Sequence, residues 1–353
     1  MPLVYHVLSG KDVGGAERVV LSLVKGEGRL SSRVLLPRGS ALIPLLEKEK
    51  IPFSEYSENK EAKASFSLFL FFYRYFKCYP CDALVSHGTP LARLAGKIAG
   101  IPCLVSVKHC AVPWRGSTAL YRFLTDFTVS VSENANNCLQ KMGIPSKERC
   151  VIQNGFRAMG PPTWWERWQA RRALGIPAHT LAVGVSGRLA PIKGQTTAVR
   201  ALSHLPPRFS LYLLGDGAEM EELMRLASLL GVSERVHFLG FKEDTRIFFH
   251  ALDAHLSCSL GSETASLSLA EGMSAGCPTF ASRIEGNLLR VGRGGVFFSP
   301  GDENALAKAL FSLRSFEVRK KMRRAALRRA KELPSEEEAR GNFEALLLSL
   351  LQK

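Results

Sequence analysis

Short apolar runs alternate with helical spacings along the whole chain. Leu3–Leu8 reads as a strand, Ala16–Lys25 as an amphipathic helix and Arg33–Leu36 as a second strand. Leu42–Lys48 and Phe66–Phe76 carry helical spacing, while Ala83–Ser86, Cys103–Val107 and Phe127–Val131 are short continuous apolar runs of the kind a buried strand shows. The texture changes after Asn154-Gly155, where Met159-Gly160-Pro161-Pro162 reads as a linker. Trp164–Leu174 is a basic, tryptophan-bearing helix. A second strand series then runs through Leu181–Val185, Leu211–Leu214, Val236–Leu239, His255–Cys258 and Thr279–Ala281, with helices between. Strand–helix alternation of this kind implies parallel sheets covered by helices on both faces. The expected fold is therefore α/β, with two Rossmann-like, doubly wound domains facing across a cleft, residues 1–160 and 161–335. The final amphipathic segment, about 336–353, is expected to pack back on the first domain.

Size and composition agree with two globular domains. The chain has 353 residues, 46% apolar and 22% charged, enough to build two cores. Its formal net charge of +15 attracts polyanions. The densest basic stretches are Arg319–Arg324 and Arg328–Lys331. A solvated helix face is the plain reading, and an anionic membrane surface is the functional one. Nucleic acid is not expected as a partner, because no recognition motif accompanies the charge. The opening residues read as a strand and not as a leader, and no apolar run is long enough to span a bilayer. A cytoplasmic protein is expected, at the inner face of the membrane if the basic surface is used. The eight cysteines are scattered. Cys78-Tyr79-Pro80-Cys81 has redox or zinc spacing but no second pair, so buried thiols are the simpler assignment.

In open parallel sheets, ligands bind beyond the carboxyl ends of the strands. Four groups of residues fall there. Gly14 and Gly15 follow the first strand and open a helix. Paired glycines allow close backbone approach, and a helix start offers amides to a diphosphate or sugar oxygen. A turn required only for packing is the alternative. The spacing is not the dinucleotide fingerprint, and Leu36-Pro37-Arg38 supplies no acid after the second strand. Arg188 and Lys193 follow the first strand of the second domain, within Gly187–Gly194. A guanidinium and an ammonium there would stabilise a departing nucleoside diphosphate, although either cation alone would read as surface charge. No Asp-x-Asp pair occurs, which fits chemistry without a metal.

The third group is Ser262–Met273. Glu263 precedes a helix and Glu271 lies inside it, eight residues on, or about 12 Å of helix. Amides from Ala265 to Leu267, with the hydroxyls of Thr264 and Ser266, would take the phosphates. Glu271 would accept from ribose and Glu263 from the donor sugar. A capping box starting at Ser262 would account for Glu263 but not for Glu271, which falls in an apolar stretch. The fourth group is His109, just past Cys103–Val107, where an imidazole would contact the donor sugar or assist the acceptor, with a capping role as the alternative. His87 is the weaker candidate.

Taken together, these residues resemble family 4 of the glycosyltransferases. The resemblance rests on Gly-Gly-Ala-Glu-Arg at 14–18, Asn154-Gly155, Gly-Arg-Leu with Lys-Gly across 187–194, and Leu214–Gly217. It continues through Val236–Gly240, the Ser-Glu-x7-Glu-Gly-Met-x-Ala-Gly-x-Pro pattern of 262–278, and Ser299–Asp302. It implies a GT-B fold, a retaining mechanism and no metal cofactor. The resemblance places a diphosphate grip at Arg188 and Lys193 and the paired glutamates at Glu263 and Glu271. It puts a glycine loop at Gly14 and Gly15, a strand-end histidine at His109, and the base against backbone near Leu239 and Gly240. Thr264, Ser266 and Leu267 complete the donor site. Two departures stand out. Gly286-Asn287-Leu288-Leu289 replaces a common Gly-x-Pro-Glu, and Arg290–Arg293 looks like a shortened loop. Also, Phe156-Arg157 follows Asn154-Gly155 where an acid is common.

The expected reaction moves a hexose or N-acetylhexosamine from a nucleoside-diphosphate sugar to a saccharide or lipid-linked acceptor. A cell-envelope glycan such as lipopolysaccharide is the expected product. A nucleotide-sugar epimerase and a non-catalytic nucleotide-sugar-binding subunit are the alternatives, the first giving product from donor alone and the second giving none. A nicotinamide oxidoreductase is disfavoured by the missing fingerprint.

Overall fold

The computed structural model describes all residues except 12–13, 27, 58–65, 114–115, 262 and 353. The chain divides into two compact units, Phe156–Leu333 and a first unit of Met1–Gly155 completed by Pro334–Lys353.

The first unit runs β1 (Leu3–Leu8), α1 (Gly15–Val24), β2 (Ser31–Pro37), α2 (Ile43–Lys48), β3 (Phe53–Tyr56), α3 (Phe66–Cys78) and β4 (Ala83–His87). It continues with α4 (Pro90–Ala99), β5 (Cys103–Lys108), α5 (Thr118–Phe123), β6 (Phe127–Ser130), α6 (Glu133–Lys141) and β7 (Arg149–Val151). Its sheet has the order β3-β2-β1-β4-β5-β6-β7, and every pairing is parallel. The inner strands are buried along nearly their whole length, as continuous apolar runs must be when helices cover both faces.

The second unit runs α7 (Trp164–Ala173), β8 (Leu181–Ser186), α8 (Gln195–Ser203), β9 (Phe209–Leu214), α9 (Met220–Leu229), β10 (Val236–Phe238), α10 (Arg246–Ala251) and β11 (Ala254–Ser257). It closes with α11 (Leu267–Ser274), β12 (Thr279–Ser282), α12 (Glu285–Val291), β13 (Gly295–Phe298), α13 (Glu303–Phe311) and α14 (Phe316–Ala330). Its parallel sheet has the order β10-β9-β8-β11-β12-β13. Side chains of α8, α9 and α13 pack in the core on one face. Those of α7, α10 and α11 fill the cores of the other, and α14 contributes Met322 to the first and Ala326 and Ala330 to the second.

The last helix, α15 (Glu336–Leu351), belongs to the first unit. Ser335 caps it: its hydroxyl accepts from the Glu338 amide at 3.1 Å while the Glu338 carboxylate accepts from the Ser335 amide at 2.7 Å. Ala339, Phe343 and Leu347 recur every four residues and are all buried, so one stripe of the helix faces the unit. Burying each of the two large side chains contributes about 1.5–3 kcal/mol. Phe343 lies against the His6 ring of β1, centroids 6.1 Å apart, and Arg340 donates to the Lys25 carbonyl.

Both sheets reverse direction of growth beside their first strand, between β1 and β4 and between β8 and β11. Such switch points leave a crevice at the carboxyl ends of the strands. The loops after β1, β4 and β5, and after β8 to β11, carry the residues singled out above.

Candidate functional site

The second unit holds the charged part of the site. After β8 the chain crosses Gly187 and enters a single 3-10 turn, Pro191–Lys193. Gly194 ends that turn in the left-handed region, at φ 61°, and a Cβ there would stand 2.3 Å from the Cys258 carbonyl oxygen. Glycine is thus required on both counts, and the close approach brings the loop against the end of β11. The Leu260 amide donates to the Ile192 carbonyl at 2.9 Å and ties the two loops together. The result is that Lys193 reaches Glu263. Its ammonium lies 2.5 Å from the carboxylate, and the Ser259 hydroxyl donates to the same oxygen at 3.1 Å. Arg188 is exposed on the same loop, its carbonyl accepting from the side-chain Nε2 of Gln195 at 2.9 Å.

Glu263 leads into α11. Ser266 is the N-cap, its hydroxyl accepting from the Leu269 amide at 3.4 Å and bonded to Ser268 at 3.2 Å. The observed cap of α11 is Ser266, while Ser262, the other cap considered, lies outside the described residues. Leu267 opens the helix and Thr264 is buried just before it. Glu271 sits one turn in, 8% exposed. Only the steps from Leu267 to Glu271 are helical, so the eight-residue spacing of the two glutamates is not a simple helical rise.

Leu239 and Gly240 join the same set of loops through backbone. The Gly215 amide donates to the Gly240 carbonyl at 2.9 Å, and the Leu239 amide to Leu213 at 2.9 Å. The Leu189 amide donates to the Asp216 carbonyl at 2.9 Å, linking this edge to the Arg188 loop. Asp216 also accepts from the Phe241 amide at 2.9 Å through its side chain.

The segment that departs from the family pattern has its own structure. Arg290 and Val291 are helical, the end of α12, so the expected short loop is corrected to a helix followed by a 3-10 turn at Gly292–Gly294. Asn287 is fully buried and donates to the Ser282 carbonyl at 3.0 Å, fastening α12 to the end of β12. A Cβ on Gly286 would stand 1.9 Å from the Glu263 carbonyl oxygen, so α12 lies directly on the glutamate's backbone. Arg290 then turns its guanidinium toward Ala265, 3.5 Å from that carbonyl. Burial, then Arg329, pushes the Arg290 guanidinium down to about 10, while Glu263 acts against both. The sequence reading missed this buried cation. Its one signal was an arginine in an otherwise apolar helical run, Leu288-Leu289-Arg290-Val291.

The first unit holds a different kind of site. Gly14 caps α1 with extended backbone, and its amide donates to the Glu17 carboxylate at 3.0 Å. The helix start therefore already carries a carboxylate, which narrows the expected role of these amides in holding phosphate. A Cβ on Gly15 would meet nothing within 4 Å. Asp12 and Val13 of the same loop lie outside the described residues.

His109 ends a row of three imidazoles drawn from adjacent strands. His6 lies within β1, His87 ends β4, and His109 follows β5. His87 Nδ1 is 2.8 Å from His109 Nε2, and His87 Nε2 is 3.2 Å from His6 Nδ1. The rings stack at 5.5 Å and 5.1 Å between centroids. Burial pushes His6 and His109 down to about 4. His87 is held well below the usual imidazole range, first by burial and then by His109 and His6. All three rings are neutral near pH 7, each with one ring proton. A neutral row can share its two hydrogen bonds only if every ring donates in the same direction. The tautomer at His109 is thereby tied to that of His6. Sequence reading had picked His109 and, weakly, His87, but not His6.

Residues 180–315, inside the second unit, match the family model described as "Glycosyl transferases group 1". That unit carries a glycosyltransferase domain. A lipopolysaccharide core biosynthesis glycosyltransferase of Rhizobium meliloti, LpsE, is 37% identical over 142 residues, 40% of this chain and 41% of the relative. The chain thus spans less than half the length of that curated relative. The UDP-Gal:alpha-D-GlcNAc-diphosphoundecaprenol alpha-1,3-galactosyltransferase of Escherichia coli is 24% identical over 309 residues, 76% of this chain and 79% of that one. Among solved structures, Anabaena HepE in complex with UDP and glucose superposes with a TM-score of 0.86 at 23% identity, covering 99% of this chain and 100% of that chain. The fold is that of the GT-B glycosyltransferases, two parallel-sheet Rossmann-like units of seven and six strands.

Proposed function

We propose that this chain is a retaining glycosyltransferase that moves a hexose from UDP to a cell-envelope saccharide. The observation that carries the reading is the Lys193–Glu263 pair beside the start of α11, with Arg188 on the same loop. A diphosphate entering there meets two cations and a helix N-terminus, the groups that stabilise a leaving nucleoside diphosphate. UDP is supported as the carrier by the galactosyltransferase and HepE likenesses, and an envelope glycan by the lipopolysaccharide enzyme. Membership of family 4 belongs to the same reading.

In this mechanism the bond from sugar C1 to the β-phosphate oxygen breaks as Arg188 and Lys193 take up the charge. The acceptor hydroxyl forms its new bond to C1 on the same face. Its proton goes to the departing phosphate oxygen, so no side chain is required as nucleophile. Glu271 is assigned to the ribose hydroxyls and Glu263 to the sugar, with Thr264 and Leu267 offering donors to the phosphates. Backbone at Leu239 and Gly240 borders the base. His109 contacts the sugar or acceptor. The two fixed cations do the leaving-group work, and no metal cofactor is assigned to the chemistry.

The test is a panel of nucleotide sugars scored by thermal shift and donor hydrolysis, followed by NMR of the transferred anomeric centre. UDP-hexoses should stabilise the protein and be slowly hydrolysed, and activity should survive chelation by EDTA. Inversion at C1, or product formed from donor with no acceptor or water consumed, would discard the reading.

A further inference from the structure

Two helices of the second unit present the same outward spacing with complementary chemistry. On α7, Trp164, Trp165, Trp168 and Arg172 are exposed along one side; on α14, Lys320, Lys321, Arg324 and Arg328 are exposed along one side, beside the exposed Phe316 and Glu317. Each set follows i, i+1, i+4, i+8, the spacing of a single helical face. Trp164, Trp165 and Trp168 are 78%, 48% and 45% exposed, a large apolar cost for a face that meets only water.

The helices are fixed and adjacent. The inner side of α7 is anchored by Arg167 and Arg171, which both grip Asp253, at 2.8 Å and 3.0 Å. The inner side of α14 is the apolar stripe Met322, Ala326 and Ala330. Arg323 of α14 approaches the Pro162 carbonyl at 3.5 Å, two residues before Trp164 and one before Arg324. The Arg323 contact thus brings α14 up to the start of α7, at the end of the helix that carries Trp164 and Trp165.

From this juxtaposition we infer that the α7–α14 face docks on an anionic lipid surface, the three indoles entering the interface and the α14 cations meeting the headgroups. Indoles with an apolar body and one N–H donor favour the boundary between headgroup and acyl chain, and clustered Lys and Arg favour anionic leaflets. A carbohydrate platform is the other use of exposed tryptophans, but it needs free ring faces. Here Trp165 and Trp168 stack on each other at 4.8 Å and 13°, Trp164 stands edge-on to Trp165, and Arg172 lies 5.4 Å over the Trp168 ring. Trp165 and Trp168 thus each give one ring face to the other, and Arg172 lies over Trp168. The inference deepens the proposed function, because it rests on the reading that the acceptor is a cell-envelope saccharide.

The experiment floats the full-length protein with phosphatidylglycerol–phosphatidylethanolamine vesicles and, separately, with phosphatidylcholine vesicles. Binding is expected with the first only and should weaken as salt is raised. Tryptophan emission should shift to the blue and be quenched by brominated lipid. Neutralising Lys320, Lys321 and Arg324 to Gln should weaken binding roughly fivefold per cation. The combined W164S, W165S and W168S variant should weaken it by at least about tenfold. Both variants should keep donor hydrolysis in solution, which reports the nucleotide-sugar reading alone. Vesicle binding unchanged by the triple Trp substitution overturns the inference. So does an emission shift with a soluble oligosaccharide but not with vesicles. If the triple variant fails to fold, quenching of the unsubstituted protein by brominated lipid decides instead, and its absence overturns the inference.

Discussion

The two units use one topology for opposite electrostatics. In the second, Lys193 and Glu263 on loops beyond the strands form an ion pair, and the buried Arg290 of α12 lies near enough for Glu263 to favour its charge. In the first, the corresponding strands β1, β4 and β5 carry a neutral row, His6 within β1, His87 at the end of β4 and His109 just past β5, which burial keeps uncharged. Opposed charges in a half-buried setting give a rigid, charged pocket suited to phosphate. Neutral imidazoles in contact give a coupled hydrogen-bond chain with no net field. The same crevice of a doubly wound sheet can serve either end, and side-chain burial selects which.

The largest test of this contrast is Lys193→Ala. If the ammonium acts on developing charge, turnover should fall by about 10²–10³-fold while donor binding changes less. Thermal stability should hardly move, because the pair is partly solvent-exposed and such pairs contribute little to folding. Steady-state kinetics beside a melting curve gives both numbers. A large drop in melting temperature with turnover intact would turn the Lys193–Glu263 pair into a structural tie and remove the contrast.

How much of this was visible in the sequence also differs between the units. The inner strands were legible because each is a continuous apolar run. The strands that escaped, β3, β7 and β13, are all sheet edges and only partly buried: β3 has no apolar run, and the runs at β7 and β13 are three residues long, Cys150–Ile152 and Val296–Phe298. In the charged site, Arg188, Lys193, Glu263 and Glu271 could be read from spacing, because they lie on loops adjoining strands within one stretch of motif. Arg290 could not, since its role depends on Gly286 letting α12 lie on the Glu263 backbone. His6 was hidden for a similar reason. A histidine inside a buried strand reads as core, and only the pairing of β1 with β4 sets it beside His87.

A smaller effect concerns acid. His6 has a folded value of about 4 against 6.5 for the free side chain, so between those values the unfolded chain binds a proton that the folded one refuses. Its contribution to stability is therefore full above about pH 6.5, falls as pH drops and is exhausted below about pH 4. At pH 5 the loss from His6 alone is about 2 kcal/mol. Denaturant melts at pH 7 and pH 5 should show this loss, and His6→Phe should remove the His6 share of it while leaving that of His87 and His109. Equal pH dependence in the substituted protein would mean that the ring titrates normally in the fold.

The smallest expected effect is the most specific to the first unit. His87→Phe keeps an aromatic ring between its two neighbours but removes both hydrogen bonds, so the tautomer of His109 is no longer tied to His6. If the row serves to present one fixed nitrogen at His109, turnover should fall by about tenfold, the scale of one net hydrogen bond. KM for the donor should stay near its original value, because nothing in the charged pocket has changed. A control at the far end, His6→Phe, should give a weaker loss in the same direction, since His87 can still hydrogen-bond to His109. Nitrogen-15 shifts of the His109 ring would show the cause directly: one tautomer in the parent protein and a mixture once His87 is replaced. Should turnover fall equally in both variants with a single His109 tautomer throughout, the row would be packing alone, and the neutral half of the comparison would lose its chemical meaning.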